Sequence, residues 1–285
     1  MPANSSYSAG AASKSGVEKA RTLGEVRLLG YRFHPRTKSE LLDLVFDDRA
    51  PGEQLTIASA NLHGLFMFER FAEYRGLHAR DDTHVIVDGM PIVWLLRWFG
   101  HDVQRQHRTT WMDWFEDALD RAARTGKRVF ILGHTPAALD AGLARAHERW
   151  PELAIAGVHG FFDTEDPVAC RGATEAINRF APHVVFIGMG MPRQEIFAAR
   201  YARTIEVPVI GLGGAAFAYF AGDQAAPPRW MGQAGLEWLH RLFHDPRRLA
   251  TRYFVEPLVL CAALSLRLLR ERQRGPSASS SANLR

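Results

Sequence analysis

Asp88 closes the run Thr83-His-Val-Ile-Val87 and is followed by Gly89. A carboxylate at the carboxyl end of a strand, beside a glycine that lets a ligand approach, is suited to act as a general base. Asp in that place equally suits the cap of a helix opening at Pro91, and spacing alone leaves both roles open. Ser59-Ala60-Asn61 closes a second run that begins at Leu55, so a hydroxyl and an amide stand at another strand end. Turn formation is their competing use.

Glycines mark the other strand ends. Gly133 follows Arg128-Val-Phe-Ile-Leu132 and precedes Thr135-Pro136, and Gly188-Met-Gly190-Met-Pro192-Arg193-Gln194-Glu195 follows His183-Val-Val-Phe-Ile187. Such a turn lets backbone N–H groups approach an anion, and the helix N-terminus favours negative charge, so a nucleotide or its pyrophosphate is the expected guest. Tight helix-to-sheet packing is the other use of these glycines. Gln194 and Glu195 stand where they orient a sugar or nucleoside, or cap the helix they open. Gly211-Leu-Gly213-Gly214-Ala215-Ala216 formally fits a dinucleotide fingerprint, but it comes late and no strand ending in an acid follows it, which disfavours NAD. No D-x-D triplet occurs, so neither metal nor cofactor is expected. Charge on a leaving diphosphate then falls to Arg241, Arg247, Arg248 and Arg252, whose forked donors suit it. A solvated or lipid-facing basic stripe is the alternative.

These positions need a scaffold. Six short apolar runs, at residues 55–60, 83–89, 128–133, 154–160, 183–190 and 207–214, alternate with helical patterns such as Met112–Gly126 and Thr135–Pro151. The rhythm implies an α/β fold: an open, mostly parallel Rossmann-like sheet with helices on both faces and ligands outside the strands' carboxyl ends. Residues 1–20 and 275–285, rich in small polar residues, read as mobile tails, 21–224 as the core and 225–274 as a helical appendage. With 285 residues, 47% hydrophobic, a full core is available. The two cysteines, Cys170 and Cys261, show neither disulfide nor zinc spacing, and the N-terminus lacks an apolar signal segment. A cytoplasmic location follows as the expectation.

The basic stretch from Arg229 to Arg274 points to an anionic partner, a membrane rather than nucleic acid. The apolar run Leu258–Leu266 is shorter than the roughly 20 residues that span a bilayer. With Arg267, Arg270 and Arg274 at helical spacing, it suits a helix lying on an anionic lipid surface. The alternative is packing on the protein's own core or on a second subunit, which would make a homo-oligomer. Removing everything beyond Leu239 is expected to leave a folded but nearly inactive core.

Several strings recur in order. They are Ser59-Ala-Asn61, Asp88-Gly89, Arg108 with Asp113, Gly157-Val-His-Gly160-Phe161-Phe162, Gly190-Met-Pro192-Arg193-Gln194-Glu195 and Gly213-Gly214 with Phe217. Gly235-Leu-Glu237-Trp238-Leu239-His-Arg241-Leu242 and Asp245-Pro246-Arg247-Arg248 with Arg252-Tyr253 follow. Together they resemble the WecG/TagA/CpsF family of bacterial glycosyltransferases over most of residues 55–253. The resemblance implies a UDP-sugar donor, carrying N-acetylmannosamine, its uronic acid or glucose, and an undecaprenyl-diphosphate-linked sugar acceptor at the inner face of the cytoplasmic membrane. It gives Asp88 the role of base, has Ser59 and Asn61 assist at the donor, and has Arg241, Arg248 and Arg252 close over the diphosphate. Arg108, Gly133, Gly188, Gly190, Gln194, Glu195, Gly214 and Glu237 are the other expected substrate-binding positions. Four residues depart from the family pattern: Ser59 for Thr, Trp111 for Gly, Ala218 for Asp and Ala226 for Arg. The reading that results is an inverting, metal-independent transfer in cell-surface polysaccharide synthesis. A catalytically silent UDP-sugar-binding module of an assembly complex, favoured by Ala218 and Ala226, is the alternative.

Overall fold

The computed structural model describes residues 23–224, 231 and 237–274, without the side chains of 215, 237, 241, 244, 248 and 270–274. The expected tails, Ala226, and the side chains of Glu237, Arg241, Arg248, Arg270 and Arg274 lie outside the described residues.

All six expected strands form, as β3 (Leu55–Ala60), β4 (Thr83–Val87), β5 (Val129–Gly133), β6 (Ile155–Val158), β7 (Val184–Gly188) and β8 (Val209–Leu212). They make one parallel sheet in the order β4-β3-β8-β7-β5-β6. Every residue of β3, β5 and β8 is buried, because helices cover both faces. One face carries α1 (Lys38–Phe46), α5 (Trp111–Thr125), α6 (Pro136–Arg149) and α9 (Gly214–Ala221), which bury Leu41, Trp114, Phe115, Leu139 and Phe217. On the other, α3 (Ala72–Ala79), α7 (Pro167–Phe180) and α8 (Arg193–Tyr201) bury Leu77, Cys170, Ile177 and Phe197. Polar groups fix where these helices start: the Thr110 N–H donates to the Asp113 carboxylate at 3.2 Å at the start of α5, and Thr135 caps α6 with Pro136 in its first turn.

A third core cluster lies beyond β4. An antiparallel hairpin, β1 (Val26–Leu28) and β2 (Tyr31–Phe33), packs there with α2 (Leu62–Arg70) and α4 (Met90–Trp98). The backbone after β2 guards the edge of the sheet, since the His34 N–H donates to the Val85 carbonyl at 2.8 Å. The Val85 N–H in turn donates to Nδ1 of His34 at 3.0 Å, a bond open only to a neutral ring, and burial lowers the His34 pKa to about 4.

The chain closes with α10 (Glu237–His244), α11 (Pro246–Ala250), a π-helical turn at Thr251–Val255 and α12 (Glu256–Arg274). Of the two alternatives for this segment, packing on the protein's own core is realised along one side of α12. It lies along α2 with Leu260 buried in the third cluster and Leu264 and Leu268 against it. His63 Nδ1 meets a Glu256 carboxylate oxygen at 2.6 Å. Arg267 donates to the Leu29 carbonyl at 2.6 Å and pairs with Glu69 at 2.9 Å, so it is an internal tie rather than a lipid-facing cation. Phe254, Leu258, Leu266 and Leu269 remain exposed. No helix among the described residues is long and apolar enough to cross a membrane.

Candidate active site

The carboxyl ends of β3 and β4 meet through one amide. Asn61 is the N-cap of α2: its Oδ1 accepts the Gly64 N–H at 2.9 Å, while its Nδ2 donates to Oδ2 of Asp88 at 3.0 Å. The Asp88 N–H donates to the Ala60 carbonyl at 2.9 Å. The carboxylate is therefore held by an amide whose other end is locked to a helix. The cap of α4 is Gly89, at φ +110°, so capping does not occupy Asp88. Two residues back on β3, the buried Ser59 hydroxyl has no hydrogen-bond partner.

Near Asp88 lies a residue that its place in the sequence does not single out. Tyr74 of α3 is completely buried, and its hydroxyl has no partner. A Cβ added to Gly64 would lie 2.9 Å from that hydroxyl, so this glycine lets the phenol approach the cap of α2. Burial raises the Tyr74 pKa well above its ordinary value, the Glu195 and Asp88 carboxyls add to the rise, and Arg252 opposes it. Tyr74, Asp88, Glu195 and Arg252 thus share one electrostatic neighbourhood. Glu195 is also completely buried. One of its oxygens accepts from Gln194 at 2.9 Å and the other has no partner. Burial pushes its pKa up to about 8, so the carboxyl is largely neutral at pH 7. Gln194 accepts the Gly190 N–H at 3.2 Å. The cap of α8 is Pro192, so neither Gln194 nor Glu195 is used as the N-cap.

The glycine turns divide into two kinds. A Cβ at Gly133 would lie 2.4 Å from the Gly188 carbonyl oxygen, and one at Gly188 would lie 2.9 Å from the Cα of Gly214. The ends of β5, β7 and the start of α9 thus use their missing side chains to pack backbone on backbone. Gly190 is different: it is exposed, at φ +83°, with open space where a Cβ would be. Beyond β4, the Thr109 N–H donates to the Val87 carbonyl at 2.9 Å, which brings Arg108 alongside the strand end; its guanidinium lies 3.2 Å from Asp113. Trp111, buried at the start of α5, lays its ring on β8: a Cβ at Gly213 would lie 2.0 Å from that ring. Its indole N–H has no partner. Ala218 is buried within α9. No group of three or more acidic, His or Cys side chains that could hold a metal occurs among the described residues.

A parallel α/β sheet with a clamped carboxylate and neighbouring polar groups at its carboxyl edge is a scaffold for group transfer, and its sequence decides which kind. Residues 26–274 match the model of the Glycosyl transferase WecG/TagA/CpsF family, and the chain belongs to that family. Among its relatives are the N-acetylglucosaminyldiphosphoundecaprenol N-acetyl-beta-D-mannosaminyltransferases of Staphylococcus aureus strains MW2 and NCTC 8325 / PS 47. Each is 25% identical over 238 residues, which cover 82% of this chain and 90% of the relative.

Proposed function

We propose that this glycosyltransferase moves a sugar from a UDP-sugar to a sugar carried on a polyprenyl diphosphate, with inversion and without a metal, on the cytoplasmic face of the membrane. The observation that carries the reading is the Asp88 carboxylate, fixed by the Asn61 clamp at the carboxyl edge of the sheet. In the reaction, an acceptor hydroxyl gives its proton to Asp88 and its oxygen bonds to the anomeric carbon of the donor. The bond from that carbon to the diphosphate breaks on the opposite face, and UDP leaves with the electron pair. Attack opposite the leaving group inverts the anomeric centre.

The leaving diphosphate needs positive charge. Arg252, which shares the neighbourhood of Tyr74 and Asp88, is suited to supply it, with Arg241 and Arg248 as partners from the preceding helices. A neutral Glu195 keeps a second negative charge away from the departing anion. The open turn at Gly190 and the unpartnered Ser59 hydroxyl are suited to the donor, and Arg108, held by Asp113 beside the end of β4, is a further substrate-binding position. The names of the relatives favour an N-acetylmannosaminyl donor and a diphosphoundecaprenol acceptor. Exposed Phe254, Leu258, Leu266 and Leu269 favour docking on a lipid surface. The silent-module alternative draws less from Ala218 now, since a buried helix position accounts for an alanine there.

Turnover with a panel of UDP-sugars and a prenyl-diphosphate sugar, read by product mass, tests the reading. Asp88→Asn should keep UDP binding while kcat falls by roughly 10²–10⁴. Near wild-type turnover in a folded Asp88→Asn protein would remove Asp88 from the base role, and UDP binding without any product would favour the silent module.

A further inference from the structure

Between α4 and α12 runs an apolar groove of about 290 Å³. Its walls include Leu62, Pro91, Trp94, Trp98, Leu260 and Leu264. Leu62 is peptide-bonded to Asn61, and Pro91 stands three residues after Asp88, so two of the lining residues are close neighbours in the chain of the clamp and its carboxylate. Trp94 is 59% exposed and Trp98 88% exposed, large apolar rings left in water where burial would be favourable. The wall opposite them is already in place, because the His63–Glu256 and Arg267–Glu69 pairs hold α12 on α2.

We propose that this groove binds the first isoprenoid units of the acceptor's prenyl chain, those nearest the diphosphate. The inference rests on the proposed transferase reading and names the part of the acceptor that the groove takes. An acceptor sugar placed at Asp88 leaves only a diphosphate between itself and the lipid, so the chain must leave the site close to that carboxylate. The groove's lining comes within three residues of Asp88 in the chain, and it is apolar. Its two walls are built before a ligand arrives, which lowers the ordering cost of binding. Exposed Leu258 and Leu266 continue the apolar surface along α12, where the remainder of a long chain can pass into the bilayer.

Cys261 supplies a readout that needs no turnover. It is exposed and lines the groove, whereas Cys170 is buried in the sheet core, so a maleimide reports on the groove alone. Geranylgeranyl diphosphate at ten times its Kd should slow Cys261 labelling about elevenfold, the factor that simple occupancy gives. Inorganic diphosphate should leave the rate unchanged. No protection by the prenyl compound, or equal protection by inorganic diphosphate, would overturn the proposal. Equal protection by phosphatidylglycerol vesicles would make the face a general bilayer contact and overturn it too. A second arm uses Cys261→Trp, which fills the groove from an exposed position. Turnover on a long-chain acceptor should fall at least tenfold, with the KM for the UDP-sugar and the turnover on a short water-soluble acceptor unchanged; equal turnover on both acceptors counts against the groove. Protection of Cys261 in a protein that transfers no sugar would leave the groove standing and sink the transferase reading, while transfer without protection does the reverse.

Discussion

Glu195→Gln isolates the cost of burying a carboxyl beneath the site. In the folded protein burial raises the Glu195 pKa from 4.5 to about 8, and its side chain is completely buried. In the unfolded chain the same group ionises near its ordinary value. Between the two pKa values the unfolded state has released a proton that the native state keeps, so the native state binds more protons and stability falls as pH rises. The window opens near pH 4.5 and closes near pH 8. At 1.4 kcal/mol per unit, this one side chain lowers stability by on the order of 5 kcal/mol across it. Glutamine keeps the shape and can still accept from Gln194, but it does not titrate. Any fixed cost of its buried amide is the same at every pH, and all other groups cancel when the two proteins are compared. Urea unfolding of both at pH 5, 6, 7 and 8 therefore reads the effect as a slope: the stability of Glu195→Gln relative to wild type should climb steadily over that range. A difference that stays flat with pH would show that Glu195 is not a buried neutral acid, and the account of the floor beneath Asp88 would fall with it.

Asn61→Ala removes both a helix cap and the clamp on Asp88; it should cost about 1 kcal/mol in urea unfolding through the lost cap and lower kcat as well, whereas unchanged kcat with reduced stability would leave Asn61 a cap alone. Turnover should survive excess EDTA, because arginines are proposed to carry the diphosphate charge, and loss restored by Mg²⁺ or Mn²⁺ would reveal a metal site. Ending the chain at Val255 takes Leu260 out of the core along with two ion pairs, and the roughly 1.5–3 kcal/mol typical of one buried leucine is the least it should cost. An unchanged denaturation midpoint in the shortened protein would make α12 a dispensable attachment.

The six strands and their ends were legible because buried parallel strands are continuous apolar runs stopped by glycine or a small polar residue. The hairpin Val26–Phe33 was not, since three-residue strands carry too little periodicity to register. Asp88, Ser59 and Asn61 could each be found at a strand end, but the bond from Asn61 to Asp88 depends on β3 and β4 pairing in the register Ala60 with Val87. Tyr74 lay hidden because a tyrosine on the inner face of a helix looks like any core aromatic; the single nearby mark was Gly64, three residues after Asn61. Arg267 was misread for a similar reason. Helical spacing placed it with other arginines, while its partner Glu69 lies 198 residues away in the chain.

The backbone contacts among Gly133, Gly188 and Gly214 also bear on how this site can diversify. Gly133 and Gly214 meet the main chain of Gly188, with the His134 ring also packed against Gly188, so they form a plate that substitution at the three glycines cannot widen. On the proposed transferase reading, a larger or smaller sugar is then accommodated at the exposed turn of Gly190, where a Cβ would meet open space. Trp111 offers no such freedom, because its ring is packed in the core between α5 and the end of β8, and a smaller side chain there would leave a cavity. On that reading, changes of donor within this architecture should accumulate at the Gly190 turn and leave the three glycines untouched.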